Sequence, residues 1–263
     1  MNRAFNKIAN CQSPGYDSVE ICVMEKKITW HLDGAKFVFL KTNDKSVYKP
    51  RDHEKANIDD LIEKLRQPDL AIEYMKVESL DPCGLNEISS RLELSSLHVK
   101  SAFLKDRNKG ALFDMLSCMA PGVLEKTSLS TYYTGGDVIG LMADSEQWRQ
   151  AKNAMMESVG WFNPQELMRC VHFETFEIGV KTLPGEDLVR LRNALATAPN
   201  FQKCSVKVLF GDADNWNVGL GTVLGAVTRD RSNLIHRYPI SNSNNLLEFK
   251  LGDKFVEITK KLG

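Results

Sequence analysis

The chain has 263 residues, of which 43% are hydrophobic and 26% are charged, as is ordinary for a soluble globular protein. Lys and Arg together number 34, and so do Asp and Glu, so the formal net charge is zero. This balance argues against a general nucleic-acid-binding protein. The N-terminal residues lack the apolar core of a signal peptide, and no run of about 18 apolar residues exists for a membrane helix. We therefore expect an intracellular protein of the cytoplasm or nucleus.

The six cysteines are dispersed along the chain and include no C-x-x-C pair. A zinc site needs close pairs of ligands, so we expect no metal site and reduced, partly buried thiols. These cysteines are Cys11, Cys22, Cys83, Cys118, Cys170 and Cys204.

The first part of the chain changes from helical to alternating spacing. Residues 1–16 resemble the end of a helix followed by a turn at Ser13–Gly15. Between about residues 17 and 42, apolar residues alternate with polar ones, as at Val19, Ile21 and Val23, which predicts a three-stranded antiparallel meander. A fourth short strand is predicted at Val47-Tyr48. We assign residues 17–55 to this β-meander.

From residue 56 onward, helical and strand patterns alternate, which favours parallel strands with helices packed alongside. Strands recur about every 20 to 31 residues, the range of solenoid repeats. We predict a degenerate leucine-rich-repeat-like curved sheet over residues 56–263, continuous with the meander, with an ordinary α/β sandwich as the alternative. The predicted strands are Ile72–Val77, Leu97–Leu104, Leu124–Leu129, His172–Ile178 and Ser205–Leu209. The predicted helices cover residues 57–65, 85–92, 112–119 and 187–198.

The stretch SEQWRQAKNAMM, Ser145–Met156, begins with helical spacing and ends with strand spacing. We interpret it as a transition from a short helix to a strand, with Trp148, Ala151, Ala154 and Met156 directed inward. Tryptophan is a common contact residue at protein interfaces, but on the apolar face of a short helix it more often fills the core. We therefore predict that Trp148 is buried.

The C-terminal stretch LLEFKLGDKFVEITKK predicts a β-hairpin with Gly252-Asp253 as a two-residue turn. This register places Phe249 opposite Val256 and Leu247 opposite Ile258. We expect the hairpin to close the end of the sheet and protect its last edge.

No constellation of residues predicts catalysis or cofactor binding. The glycines of GLGTVLG, Gly219–Gly225, have the wrong spacing for a dinucleotide-binding loop, so we predict a flexible loop there. Asp212 and Asp214 lack the other ligands of a calcium loop and are expected in a turn. The five histidines form no helical metal pair, and we expect His172 to be a core or near-core residue of a strand. We predict no enzyme activity, no metal and no cofactor.

Several elements, in the same order, resemble the FTH domain, the C-terminal domain of a large group of nematode F-box proteins. The resemblance is clear from about Leu112 to the C-terminus and looser back to about residue 56. We interpret the matching residues as structural and nominate no partner-binding residue. The matching residues include Gln147, Trp148, Ala151, His172, Phe173, Phe201, Pro239 and Phe249.

The resemblance implies a substrate-recognition domain of a cullin-RING ubiquitin ligase, in which the F-box binds the Skp1 adaptor and the FTH domain recognises the target protein. The segment before the meander resembles only the last helix of an F-box, so we do not expect this chain to bind Skp1 by itself. The partner is expected to be a protein. The alternatives are a stand-alone module that binds protein or RNA complexes and an enzyme of unrecognised type; exposed aromatics near Tyr132-Tyr133 would favour RNA.

Overall fold

The computed structural model shows an α/β chain in which strands outnumber helices. It describes residues 15–25, 27–40, 54–55, 58–68, 70–81, 84–92, 96–131, 138–157, 162–209, 216–225, 228–230 and 233–263. The strands are β1 Gly15–Met24, β2 Lys27–Leu32, β3 Ala35–Leu40, β4 Glu54–Lys55, β5 Ala71–Ser79, β6 His98–Asp106, β7 Lys126–Thr131, β8 Asn153–Glu157, β9 Thr175–Val180, β10 Lys203–Val208, β11 Thr228–Asp230, β12 Asn233–Pro239, β13 Asn245–Leu251 and β14 Phe255–Leu262. The helices are α1 Ile58–Leu65, α2 Gly84–Leu92, α3 Lys109–Ser117, α4 Val138–Ala143, α5 Glu146–Gln150, α6 Gly185–Thr197 and α7 Trp216–Leu224, with a 3₁₀ helix at Pro164–Cys170.

The chain divides into two compact units. Unit 1 comprises Met1–Tyr132 and Ser145–Ala151, and unit 2 comprises Tyr133–Asp144 and Lys152–Gly263. Strand β1, which lies in the predicted meander, pairs with β5 beyond residue 56, so both belong to one sheet. The predicted boundaries at residues 16 and 55 stay predictions.

Unit 1 contains a mixed sheet in which the described strands follow the order β4-β3-β2-β1-β5-β6-β7. Strands β1, β2 and β3 are antiparallel neighbours, whereas β1, β5, β6 and β7 pair in parallel. Asp33 and Gly34, with φ of 48° and 83°, form the tight turn between β2 and β3, where positive φ at both positions suits the twist of a hairpin.

The helices of unit 1 begin and end as their sequences favour. Helix α1 has Asp59 and Asp60 in its first turn and Lys64 in its last, which suits the helix dipole. Its Ile58, Leu61, Ile62 and Leu65 are buried. The side chain of Asn108 caps α3 by accepting a hydrogen bond from the Gly110 N–H at 2.9 Å.

In unit 2, the described strands follow the order β8-β9-β10-β14-β13-β12-β11. Strands β8, β9 and β10 are parallel, and the strands from β14 to β11 pair antiparallel. The C-terminal hairpin therefore lies between β10 and β12, and the expectation that it protects the last edge of the sheet is wrong.

The register of this hairpin differs from the predicted one by two residues. Phe249 lies opposite Ile258, and Leu251 lies opposite Val256. The Gly252 N–H donates to the Phe255 carbonyl oxygen at 2.9 Å, so the two residues of the turn are Asp253 and Lys254 rather than the predicted Gly252-Asp253. Because side chains repeat every second residue, a shift of two leaves the same residues on the buried face.

Two other predictions are wrong. The glycine-rich stretch from Gly219 is helical, and it forms most of α7, with Leu220 and Leu224 buried one turn apart. Strand β9 begins at Thr175, so His172 lies in the turn before it and is exposed rather than a core residue. Phe173 in the same turn is fully buried, and its ring centroid lies 3.9 Å from that of His172.

Some predictions fall outside the described residues. These are the N-terminal helix end, the strand at Val47-Tyr48, the aromatic pair Tyr132-Tyr133 and the acidic turn of Asp212 and Asp214.

Candidate functional site

In unit 1, the sheet buries one set of side chains and leaves the alternate set accessible. Val19, Ile21 and Val23 of β1 are at most 1% exposed, and Met75 and Val77 of β5 are fully buried. The residues between them are partly or fully exposed. Because successive side chains point to opposite faces of a strand, this pattern defines an open face of the sheet.

We call this open surface the lysine face. It is defined by its charged residues, its exposed apolar residues and one cysteine. These are Glu20, Cys22, Met24, Lys27, Lys36, Tyr74, Lys76, Glu78, Leu80, Phe103, Lys105 and Lys126.

Strand register arranges the lysine face in rows that cross the sheet. Cys22, Glu78 and Lys105 lie opposite one another on β1, β5 and β6. In the next row, Lys76 lies opposite Phe103. The Lys76 ammonium is 5.9 Å from the centroid of the Phe103 ring, within range of a cation–π contact.

Two lysines of the face share one carboxylate. Lys105 Nζ lies 2.7 Å from Glu78 Oε1, and Lys76 Nζ lies 3.6 Å from Glu78 Oε2. The Glu78 side chain is 23% exposed, whereas that of Lys76 is 36% exposed. The Glu78 carboxylate therefore lies within ion-pairing distance of both lysines.

The charges of the face act on the thiol at its centre. Burial, followed by the charge of Glu78, raises the pKa of Cys22, while Lys76, Lys27 and Lys105 oppose that rise. The thiol is therefore held in its protonated form, which is a poor nucleophile.

The lysine face also exposes apolar surface. Met24 is 38% exposed, Tyr74 36% and Leu80 40%. Leu80 directly follows β5, and its N–H donates to the Val23 carbonyl oxygen at 2.9 Å, so it lies beside Met24 across the strands. Exposed apolar side chains that lie together on a surface are a feature of protein contact sites.

Unit 2 also has a polar sheet face, but its charges are mostly paired. Lys203 pairs with Glu257 at 2.9 Å, and Lys207 pairs with Glu177. Glu248 pairs with Arg237 at 3.0 Å and with Lys261 at 2.5 Å. Side-chain hydrogen bonds from Lys261 and Arg237 outweigh the opposing effect of burial and lower the pKa of Glu248.

The residues that the sequence singled out are not among those of the lysine face. Trp148 is fully buried in α5, and Ala151 after it is 3% exposed. The Ser145 hydroxyl caps α5 by accepting from the Trp148 N–H at 3.2 Å. Gln147 is 8% exposed and donates to the Met119 carbonyl oxygen at 2.8 Å.

The remaining residues of this set belong to unit 2. Phe173, Phe201 and Phe249 are at most 1% exposed. Pro239 is exposed at the end of β12. Sequence reasoning nominated none of the lysine-face residues, although the alternation in β1 and β5 could have indicated which residues point away from the core.

No group of three or more His, Cys, Asp or Glu residues within the described ranges is arranged to hold a metal ion. Among those residues, no helix is both long enough and apolar enough to cross a membrane.

The family comparison identifies the chain. The model of the FTH domain matches residues 84–218, slightly more than half of the chain, from the start of α2 into α7. No curated protein and no solved structure matches the sequence significantly. The chain belongs to the FTH domain family.

Proposed function

We propose that this chain is a non-catalytic protein-recognition domain and that the lysine face binds its target. The observation that carries this proposal is the open sheet surface of unit 1, on which Met24, Tyr74 and Leu80 are exposed among charged residues. Membership of the FTH family supports a protein-interaction role. The leucine-rich-repeat-like curvature expected from the repeat pattern, which is part of this proposal, would give such a face the concave shape that solenoid proteins use for binding.

We further propose that the domain serves as the target-binding part of a cullin-RING ubiquitin ligase. In that role its contribution is to hold the target close to the catalytic subunits, which raises the effective concentration of the target. Association through the Skp1 adaptor would require an F-box, of which residues 1–16 resemble only the last helix. A stand-alone role in binding protein or RNA complexes is the alternative.

Proximity labelling in cells, followed by mass spectrometry, tests the recognition role. The wild-type chain is compared with the double variant Tyr74→Ser/Leu80→Ser, which removes exposed apolar surface from the lysine face. The control is Leu209→Ser in unit 2, because Leu209 is 48% exposed and lies outside that face. We expect proteins recovered by the wild type and the control to be lost with the double variant; equal recovery by all three would contradict the proposal.

Ligase association is tested separately by pull-down. Co-purification of Skp1 or a cullin with the wild-type chain supports a role in ubiquitination. Recovery of Skp1 only after a complete F-box is fused before residue 1 would show that the F-box is what this chain lacks, whereas recovery of target proteins without any ligase subunit by both versions would favour a stand-alone module.

A further inference from the structure

We propose that the occupant of the lysine face is an extended protein segment in which acidic residues are combined with large apolar residues. This inference rests on the proposed recognition role and specifies the chemistry of the partner. It is carried by charge complementarity and by the position of the exposed apolar residues.

The charge of the face differs from that of the chain as a whole. The whole chain has equal numbers of basic and acidic residues. The lysine face has five lysines, at positions 27, 36, 76, 105 and 126, but only two glutamates, at positions 20 and 78. Carboxylates brought to this surface would therefore be attracted, and most strongly beside Lys76 and Lys105, which share Glu78.

The apolar residues of the face give the segment a second requirement. Met24 and Leu80 lie at one end of the face and are 38% and 40% exposed, while Tyr74 lies further back along β5. Burying these side chains against leucine or phenylalanine side chains of a partner removes apolar surface from water. An acidic segment without large apolar residues would leave this surface uncovered.

The spacing of the strands sets the length of the segment. Lys27 lies on β2, Lys76 on β5 and Lys105 on β6. The four neighbouring strands follow the order β2-β1-β5-β6, so three strand spacings separate Lys27 from Lys105. Neighbouring strands are about 4.8 Å apart, so the face from β2 to β6 is roughly 14 Å wide. An extended chain rises about 3.3 Å per residue and crosses that width with four or five residues.

The same features disfavour RNA as the occupant. The Lys76 ammonium already lies over the Phe103 ring, which restricts stacking of a base on that ring. The aliphatic side chains of Met24 and Leu80 suit apolar protein side chains better than the polar edges of bases.

Fluorescence anisotropy with the full chain tests the proposal. The probe is a fluorescein-labelled peptide of three Glu-Asp-Leu-Phe repeats, and the comparison probes are three Lys-Arg-Leu-Phe repeats and an oligouridylate of matched length. We expect the acidic peptide to bind and its affinity to fall as salt is added. The double variant Lys76→Glu/Lys105→Glu should weaken binding of the acidic peptide by at least about tenfold, since it replaces two attractions by two repulsions.

A matched charge reversal in unit 2 is the control. Lys203 is an exposed strand lysine whose side chain is 50% exposed and pairs with Glu257, so Lys203→Glu should leave the affinity for the acidic peptide unchanged. The double variant should also gain affinity for the basic peptide, a change that simple unfolding could not produce. Far-UV circular dichroism of each variant confirms that it is folded.

Three results would overturn the assignment. The first is a dissociation constant for the acidic peptide above about 1 mM. The second is an equal loss of affinity for the acidic peptide in Lys203→Glu and in the double variant. The third is tighter binding of the oligouridylate than of the acidic peptide. The proposed recognition role fails separately. Proximity labelling distinguishes the two failures. If partner proteins are lost with Tyr74→Ser/Leu80→Ser but retained with Lys76→Glu/Lys105→Glu, the face binds protein and only the proposed acidic chemistry is wrong.

Discussion

Gln147 Nε2 donates a hydrogen bond to the carbonyl oxygen of Met119 at 2.8 Å, between residues 28 positions apart in the chain. Met119 lies just after α3, and Gln147 lies in α5, so a buried side-chain amide joins two distant stretches of unit 1. The same amide nitrogen lies 3.4 Å from the Ser117 carbonyl oxygen. A residue that the FTH resemblance singled out thus has a structural role in satisfying buried backbone carbonyls.

Replacing Gln147 by leucine should lower the free energy of unfolding by about 1–3 kcal/mol, because the buried carbonyl oxygens lose their donor. The matched control is Gln150→Leu, at the exposed end of the same helix, which should change the free energy by no more than about 0.5 kcal/mol. Urea denaturation followed by circular dichroism measures both. Equal effects of the two substitutions would show that the hydrogen bond of Gln147 contributes little.

Replacing Trp148 by alanine should lower the free energy of unfolding by about 3–5 kcal/mol, because a fully buried indole leaves a cavity. Trp148→Phe keeps most of the apolar volume and should cost less than Trp148→Ala. Urea denaturation of both variants gives the comparison. A Trp148→Ala protein that kept its full stability but lost its protein partners would show that the residue is a contact rather than a core residue.

Local pattern predicted which residues face the core and that the first strands form an antiparallel meander, but it did not predict the register of the C-terminal hairpin or the pairing of β1 with β5. The alternation at Val19, Ile21 and Val23 was sufficient to predict that these side chains face the core, because side chains repeat every two residues along a strand. All three are buried. That same periodicity cannot distinguish hairpin registers that differ by two, so the pairing of Phe249 with Ile258 was missed. The lysine face was also missed, since its rows combine strands that are distant in sequence and are brought together only by the parallel pairing.

Asp106 gives a prediction about pH. Its side chain is fully buried at the end of β6, where Oδ1 accepts from the Asn108 N–H at 2.6 Å and Oδ2 has no hydrogen-bond partner. Burial raises the pKa of Asp106 above its ordinary value of 3.8, despite hydrogen bonds from Asn108, Ser79 and Arg107 that act in the opposite direction. The folded state therefore binds the proton more tightly than the unfolded state does.

The stability that this group contributes is fully present below pH 3.8 and is lost as pH rises through the raised pKa of the folded state. Asp106→Asn keeps an acceptor oxygen for the Asn108 N–H and removes the buried charge. We expect the variant to match the wild type in acid and to be more stable than the wild type at neutral pH. Urea midpoints measured across the acid and neutral range test this, and a variant that is less stable at neutral pH would show that the carboxylate is needed in its charged form.

The helical conformation of α7 predicts opposite effects for two glycines that the sequence had placed in one flexible loop. Gly219 lies inside the helix, and a Cβ added there would meet no atom within 4 Å, so Gly219→Ala should stabilise the protein by about 0.5–1 kcal/mol. Gly225 follows the helix with a φ of +98°, and its N–H donates to the Gly221 carbonyl oxygen at 3.1 Å, as in a glycine that ends a helix. Gly225→Ala should therefore destabilise the protein by roughly 1 kcal/mol, because alanine is strained at positive φ. Thermal denaturation of the two variants measures the difference, and two effects of the same sign would indicate that residues 219–225 form a loop after all.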